Sequence, residues 1–73
     1  MIDMTYDAEA DAIYIHLARG KVNGTDESGP FIYDVDKEGR ILGVEILAAS
    51  KVLAPGDWQN APRPGEKNVS AAE

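Results

Sequence analysis

The sequence has no cysteine and a single histidine, His16. The first absence removes disulfides and thiolate zinc sites together, and the second excludes a histidine-rich metal centre. Basic residues are also scarce, with 7 Lys and Arg against 13 Asp and Glu and a net charge of −6. No local basic patch is visible along the chain, so a nucleic-acid backbone is expected to be repelled and no direct nucleic-acid binding is expected. Long apolar runs are missing too. No stretch approaches the roughly 18 apolar residues of a membrane span, and M-I-D-M-T-Y lacks the basic start and apolar run of a signal peptide. A cytoplasmic protein without membrane association is the expectation. Glycine-rich phosphate cradles are absent as well, because E-G-R-I-L-G has neither a following Lys-Ser nor a strand-loop-helix context. No cofactor is expected.

What remains is a short patterned chain. Its 73 residues allow one domain, and the apolar pattern runs only over residues 1–54. That is near the smallest size at which one hydrophobic core suffices, which points to self-association as a homodimer or higher homo-oligomer. Residues 55–73 hold three of the four prolines and no periodic apolar face, so a flexible, disordered C-terminal tail is expected there. Trp58 stands alone in it, either folded back on the domain or free to anchor a partner.

Alternation marks the strands. Ile2, Met4 and Tyr6 on one side of D-A-E-A-D, and Ile13, Ile15 and Leu17 on the other, read as a hairpin with Tyr6 facing Ile13, Met4 facing Ile15 and Ile2 facing Leu17. Lys21 to about Thr25 reads as a short polar edge strand containing Val22, and Asp26 to Pro30 as a loop. Phe31, Tyr33 and Val35, then Leu42, Val44 and Ile46, form a second hairpin around Asp36 to Gly39, with Tyr33 facing Leu42 and Phe31 facing Val44. Ala49, Val52 and Leu53 then fall at helical spacing, for a short helix ending before Pro55. The fold class is therefore α+β, a small antiparallel β-meander of 4–5 strands followed by one short helix packed on the sheet. The expected core comprises these aliphatic and aromatic side chains, Ile2, Leu17 and Val52 among them.

The segment D-V-D-K-E-G-R-I-L-G-V-E, from Asp34 to Glu45, imitates a calcium loop, with alternating acids, a glycine at Gly39 and a closing glutamate. Its flanks P-F-I-Y and V-E-I-L are strand-like, however, where an EF-hand needs helices. In the hairpin register Asp34 faces Ile41, about 13 Å from Glu45 at about 3.4 Å per residue, too far for one ion. A turn is the favoured reading, with weak divalent-cation binding through Asp34, Asp36 and Glu38 as an alternative. D-A-E-A-D is read likewise as a turn with surface charge.

A further alternative is a small enzyme using His16 as general base with Asp34 or Glu45 as orienter, since a near-neutral imidazole suits proton transfer. No cysteine and no well-placed serine offers a nucleophile, so a non-enzymatic protein is favoured. The more informative feature is the second face of the sheet. Tyr14, Ile32, Ile41 and Leu47 lie opposite the core among His16, Asp34 and Glu45, too apolar for a solvated face and too polar for a second core. Tyr14, His16, Ile32, Ile41, Glu45, Leu47 and Trp58 are therefore the interface candidates of a protein-interaction module.

T-Y-D-A-E-A-D-A-I-Y-I-H-L followed by E-G-R-I-L-G-V-E-I-L-A-A-S-K resembles the YuzE-like family of small bacterial proteins, domain-of-unknown-function family 2283. The resemblance spans most of Met4 to Lys51 and implies an antiparallel sheet followed by a short helix. It implies no activity, cofactor or catalytic residue, and it points toward partnership with another small protein, an antitoxin-like role. Many relatives resemble I-L-D-A-S-K where this chain has Ala48, which removes an expected helix N-cap unless Ser50 supplies one.

Overall fold

The computed structural model describes residues 3–65. The expected pairing of Ile2 and residues 66–73 of the expected tail lie outside the described residues. The first part of that tail is ordered, with a 3-10 turn at Asp57–Asn60 and Pro62 O accepting the Tyr6 N–H at 2.9 Å. Five strands form one antiparallel sheet: β1 (Asp3–Asp7), β2 (Ala12–His16), β3 (Gly24–Ser28), β4 (Phe31–Val35) and β5 (Ile41–Ile46), in the order β1-β2-β5-β4-β3. Consecutive strands are neighbours except β2 and β3. One edge of β2 is taken by β1, so its other edge receives β5 and the following link crosses the end of the sheet.

The first hairpin has the register its alternation predicts, Met4 against Ile15 and Tyr6 against Ile13. Its loop is closed by Asp7, whose Oδ1 accepts the N–H groups of Glu9 and Ala10 at 3.1 and 3.3 Å, the side-chain turn that favours Asp at such a position. The second hairpin differs from expectation. Asp36 N–H donates to Arg40 O and Gly39 N–H to Asp36 O, both at 2.9 Å, with Gly39 at φ 83. Asp36 thus belongs to the ladder, and the loop is one residue shorter than predicted. A bulge at Leu42 adds a second one-residue shift, so Tyr33 faces Val44 and Phe31 faces Ile46. Beyond the bulge the two single shifts keep the side chains of Phe31 to Asp34 and of Gly43 to Ile46 on their expected faces while moving each partner along by two; Val35, before it, moves by one to Ile41.

The polar edge strand also sits later than its composition suggests. β3 covers Gly24–Ser28, and Gly29–Pro30 forms a two-residue turn with Gly29 at φ 59. Proline excludes positive φ at the second central position, so the type II′ turn, with glycine first, is the hairpin turn this pair can form. Val22 lies outside the strand and is exposed.

One sheet face carries the core. Ile13 and Ile46 are buried with Ala49 of α1 (Ala49–Val52), and Met4, Tyr6, Ile15, Phe31, Val44, Leu53 and Trp58 pack around them. Leu17 and Val52, expected in this core, are 43% and 40% exposed. Leu17 follows the end of β2, beyond its strand pairing, and a four-residue helix has room to bury only one stripe, which Ala49 occupies.

The α1 start is held from a distance. Ala48 forms no side-chain cap and stands at φ 53, ψ 46. Instead Asp11, from the first hairpin loop, accepts the Ala49 N–H on its backbone oxygen at 2.8 Å. Its carboxylate accepts the Ser50 N–H at 3.1 and 3.2 Å, the Ser50 hydroxyl at 2.7 Å and the Tyr6 hydroxyl at 2.8 Å. Ser50 is therefore the capped residue rather than the cap. The left-handed backbone at 48 costs a residue with a Cβ roughly 1 kcal/mol, which glycine avoids. Ala48→Gly is expected to stabilise the fold by about 0.5–1 kcal/mol, read as an upward shift in the denaturation midpoint. The same conformation suits the aspartate that the family resemblance leads one to expect there.

The Ser50 hydroxyl, then the Tyr6 hydroxyl and the Ser50 N–H, hold the Asp11 carboxyl below its ordinary 3.8. A carboxyl lowered in the folded state stabilises the fold above its unfolded pKa, and that contribution fades as pH falls through the folded value. Asp11→Asn is thus expected to lower the melting temperature at neutral pH by several degrees. In thermal melts across the acid range, the gap to the parent chain is expected to narrow below pH 3.8 and to close once the folded carboxyl is protonated.

Candidate functional site

The second face of the sheet is built from alternate residues of all five strands. One row across it runs Thr5, Tyr14, Glu45, Ile32 and Glu27, and the next runs Asp3, His16, Gly43, Asp34 and Thr25. Leu47 extends the β5 alternation, its N–H bonded to Pro30 O at 3.0 Å, and is exposed. Among the described residues no helix or strand lies over this face. Pro64 and Gly65 border it beside Thr5, Asp7, Tyr14 and Glu45.

Gly43 explains the centre of the face. A glycine inside an aliphatic strand marks a close approach, and here the Tyr14 ring lies across it. A Cβ at Gly43 would stand 2.7 Å from Tyr14 Cζ and 3.1 Å from the Ile15 carbonyl oxygen. The ring thereby reaches diagonally to β4, and its hydroxyl donates to Asp34 Oδ2 at 2.9 Å. Burial, then the hydrogen bond to Asp34 and the negative fields of Asp34 and Glu45, raise the phenol above its ordinary 10.0. Tyr14 is therefore neutral at physiological pH and acts as a donor, tying β2 to β4 over the intervening β5.

The corrected register changes the relations among the candidate residues. Asp34 faces Gly43 rather than Ile41, so it lies diagonal to Glu45, at roughly 7 Å rather than the 13 Å the sequence register implied. Ile41 pairs with Val35 across the bulge, which takes it out of the alternation of Gly43 and Glu45 and leaves it 45% exposed elsewhere. His16 lies on the same row as Asp34 but two strands away, about 10 Å at the usual strand spacing of about 4.8 Å. The partner of Asp34 is Tyr14, and a His16 dyad with Asp34 is not formed. His16, half-buried, instead borders a shallow hollow with Asp3 and Leu17. Trp58 is folded back on the core face, edge-on to Tyr6 with ring centroids 5.0 Å apart.

Asp34, Asp36 and Glu38 do not converge. The Asp36 carboxylate accepts the N–H groups of Glu38 and Arg40 and the Arg40 Nε at 2.9–3.0 Å, which holds it below its ordinary 3.8, the Arg40 N–H first. Asp34 is engaged by Tyr14 on the sheet face. Among the described residues no group of three or more His, Asp and Glu side chains is placed to hold a metal ion.

Folding brings together basic residues that are apart in the sequence, beside Asp36 and Glu38. Arg19 and Lys21 of the β2–β3 link and Lys37 and Arg40 of the β4–β5 turn line one hollow at the end of the sheet. Sequence distance concealed the patch, because the two segments meet only when β5 docks between β2 and β4.

These features define a small antiparallel α+β protein in which, among the described residues, one sheet face is covered by a helix and the other is not. Residues 3–50 match the family described as "Protein of unknown function (DUF2283)", and the chain belongs to that family. No curated protein and no solved structure matches the chain. The family match ends at Ser50, inside α1, so Trp58 and the segment against β1 lie beyond it. Among the described residues no helix is long and apolar enough to cross a membrane.

Proposed function

We propose that the chain is a non-enzymatic protein-interaction module whose second sheet face docks another small protein. The observation that carries this reading is the open face itself. Tyr14 and Ile32 are half-buried at its centre and Leu47 is exposed at its end, with no described element to cover them. The face also carries Asp3, Asp7, Glu27, Asp34 and Glu45, with Asp34 bonded to the Tyr14 hydroxyl. A second copy placed on this face would set those carboxylates against their own kind, so the reading favours a different chain with a basic contact surface. An antitoxin-like role, in which a small basic protein is covered by this face, is one form of it.

The test is co-purification of the tagged chain from native cells, compared with an Ile32→Lys variant and with Val52→Lys on α1 as control. Loss of a stoichiometric partner with Ile32→Lys alone supports the reading. Sedimentation over a concentration range separates it from self-association, and a concentration-dependent dimer abolished by Ile32→Lys would replace the foreign partner with a second copy.

A further inference from the structure

The hollow at the end of the sheet has a volume of about 470 Å³ and lies apart from the open face. Four of the chain's 7 basic side chains, Arg19, Lys21, Lys37 and Arg40, border it, in a protein of net charge −6. Asp36 and Glu38 share the wall and leave a local excess of two positive charges. The four cations are not equivalent. Arg40 is held by Asp36 at 3.0 Å and Glu38 at 3.5 Å, whereas Arg19, Lys21 and Lys37 make no ion pair among the described residues. With both wall carboxylates engaged by Arg40, Arg19, Lys21 and Lys37 keep an excess of like charge that a bound anion would offset.

The frame under these side chains is fixed on both sides. Leu17 and Ala18 donate their N–H groups to Leu42 O at 2.8 and 3.0 Å, and Asn23 donates to Val35 O at 2.8 Å. Between these anchors Gly20 lies against the Leu42 side chain, where a Cβ would come within 2.8 Å of Cδ2. Opposite, the Asp36 carboxylate fixes the turn that carries Lys37 and Arg40. Backbone anchoring of both loops lowers the ordering cost of drawing their cations onto one ligand.

We propose that this hollow binds a small, multiply charged anion of the phosphate class, either free phosphate or a phosphate ester. Arg19 supplies a planar fork that matches phosphate oxygens, and Lys21 and Lys37 supply point charges beside it. The volume falls in the range of about 300–1,000 Å³ common to small-molecule sites. Size also selects against nucleic acid. An extended polyanion must approach the rest of a net acidic surface, while a small anion meets only the hollow.

The test is an amide chemical-shift titration of the full chain with sodium phosphate, a simple alkyl phosphate and pyrophosphate, at ionic strength held constant with sodium chloride. Saturable shifts at Gly20, Lys21, Asn23 and Lys37 are the expected result. Lys21→Gln should weaken binding at least fivefold and the Arg19→Gln/Lys21→Gln pair should abolish it, while Lys51→Gln on α1 leaves it unchanged; these sites are exposed, so the spectra also verify the fold. Saturation by the alkyl phosphate as tightly as by phosphate identifies an ester ligand, and phosphate alone identifies the free ion. Non-saturating shifts equal to those of chloride, shifts as large around Lys51, or tighter binding of a single-stranded oligonucleotide than of pyrophosphate would each overturn the proposal.

Discussion

Gly43→Ala is expected to lower the melting temperature by roughly 10 °C, from a loss of about 2 kcal/mol in a domain of this size. The new methyl group would enter the volume of the Tyr14 ring, 2.7 Å from Cζ, and would press on the Ile15 carbonyl oxygen at 3.1 Å. Tyr14 can escape only by leaving Asp34, which breaks the hydroxyl bond and tips a half-buried ring into water. Because the closer conflict is with the Tyr14 side chain and the remaining one with the Ile15 backbone, a double-mutant cycle isolates the Tyr14 part. Tyr14→Ala alone is expected to destabilise, yet Gly43→Ala added to it should cost far less than in the parent chain, with a coupling of about 1 kcal/mol or more. Additive effects would show that Tyr14 does not cross Gly43.

Trp58→Ala is expected to cost about 2–3 kcal/mol, less than the ~3–5 of a fully buried aromatic because the ring is half-buried. Trp58 meets the Tyr6 ring edge-on at an interplanar angle of 86°, and its Nε1–H donates to Ala54 O at 2.7 Å. A few residues later Pro62 O accepts the Tyr6 N–H at 2.9 Å, on the outer edge of β1. The segment after α1 therefore both covers the core and occupies part of an edge that would otherwise be open to another strand. Hydrogen exchange should follow stability. The Tyr6 amide is expected to lose protection in Trp58→Ala beyond the global change, whereas unchanged stability and a protected Tyr6 amide would mean that the ring contributes nothing to the fold.

The contrast between the two hairpins shows what local patterning encodes. Around D-A-E-A-D, alternation and loop length agree, and Tyr6 and Met4 take the partners they imply. Around D-K-E-G the same reasoning identifies the faces and the positive φ of Gly39 but misplaces the register by two. Side-chain alternation is blind to a shift of two, and neither the ladder pairing of Asp36 with Arg40 nor the Leu42 bulge leaves a mark on the apolar pattern. That slip concealed the centre of the candidate site, since only the true register brings Asp34 opposite Gly43 and within reach of Tyr14. Gly43 itself was the legible clue, a glycine in a strand whose neighbours are Leu42 and Val44.

Other relations were out of reach for a different reason. Asp11 reads as one acid of an acidic turn, and its bonds to Ser50 span 39 positions. β3 is misplaced because G-T-D-E-S has the composition of a loop and becomes a strand through pairing with β4. The basic hollow depends likewise on a strand order that local periodicity does not contain.

The claim that the second sheet face is the docking surface is tested most directly by site-specific photo-crosslinking in native cells, with a benzophenone amino acid placed at Ile32 on that face or at Val52 on α1. The expected result is a discrete adduct of one defined mass from position 32, absent from position 52 and suppressed by Leu47→Lys. No adduct at 32, or the same adducts from both positions, would contradict it.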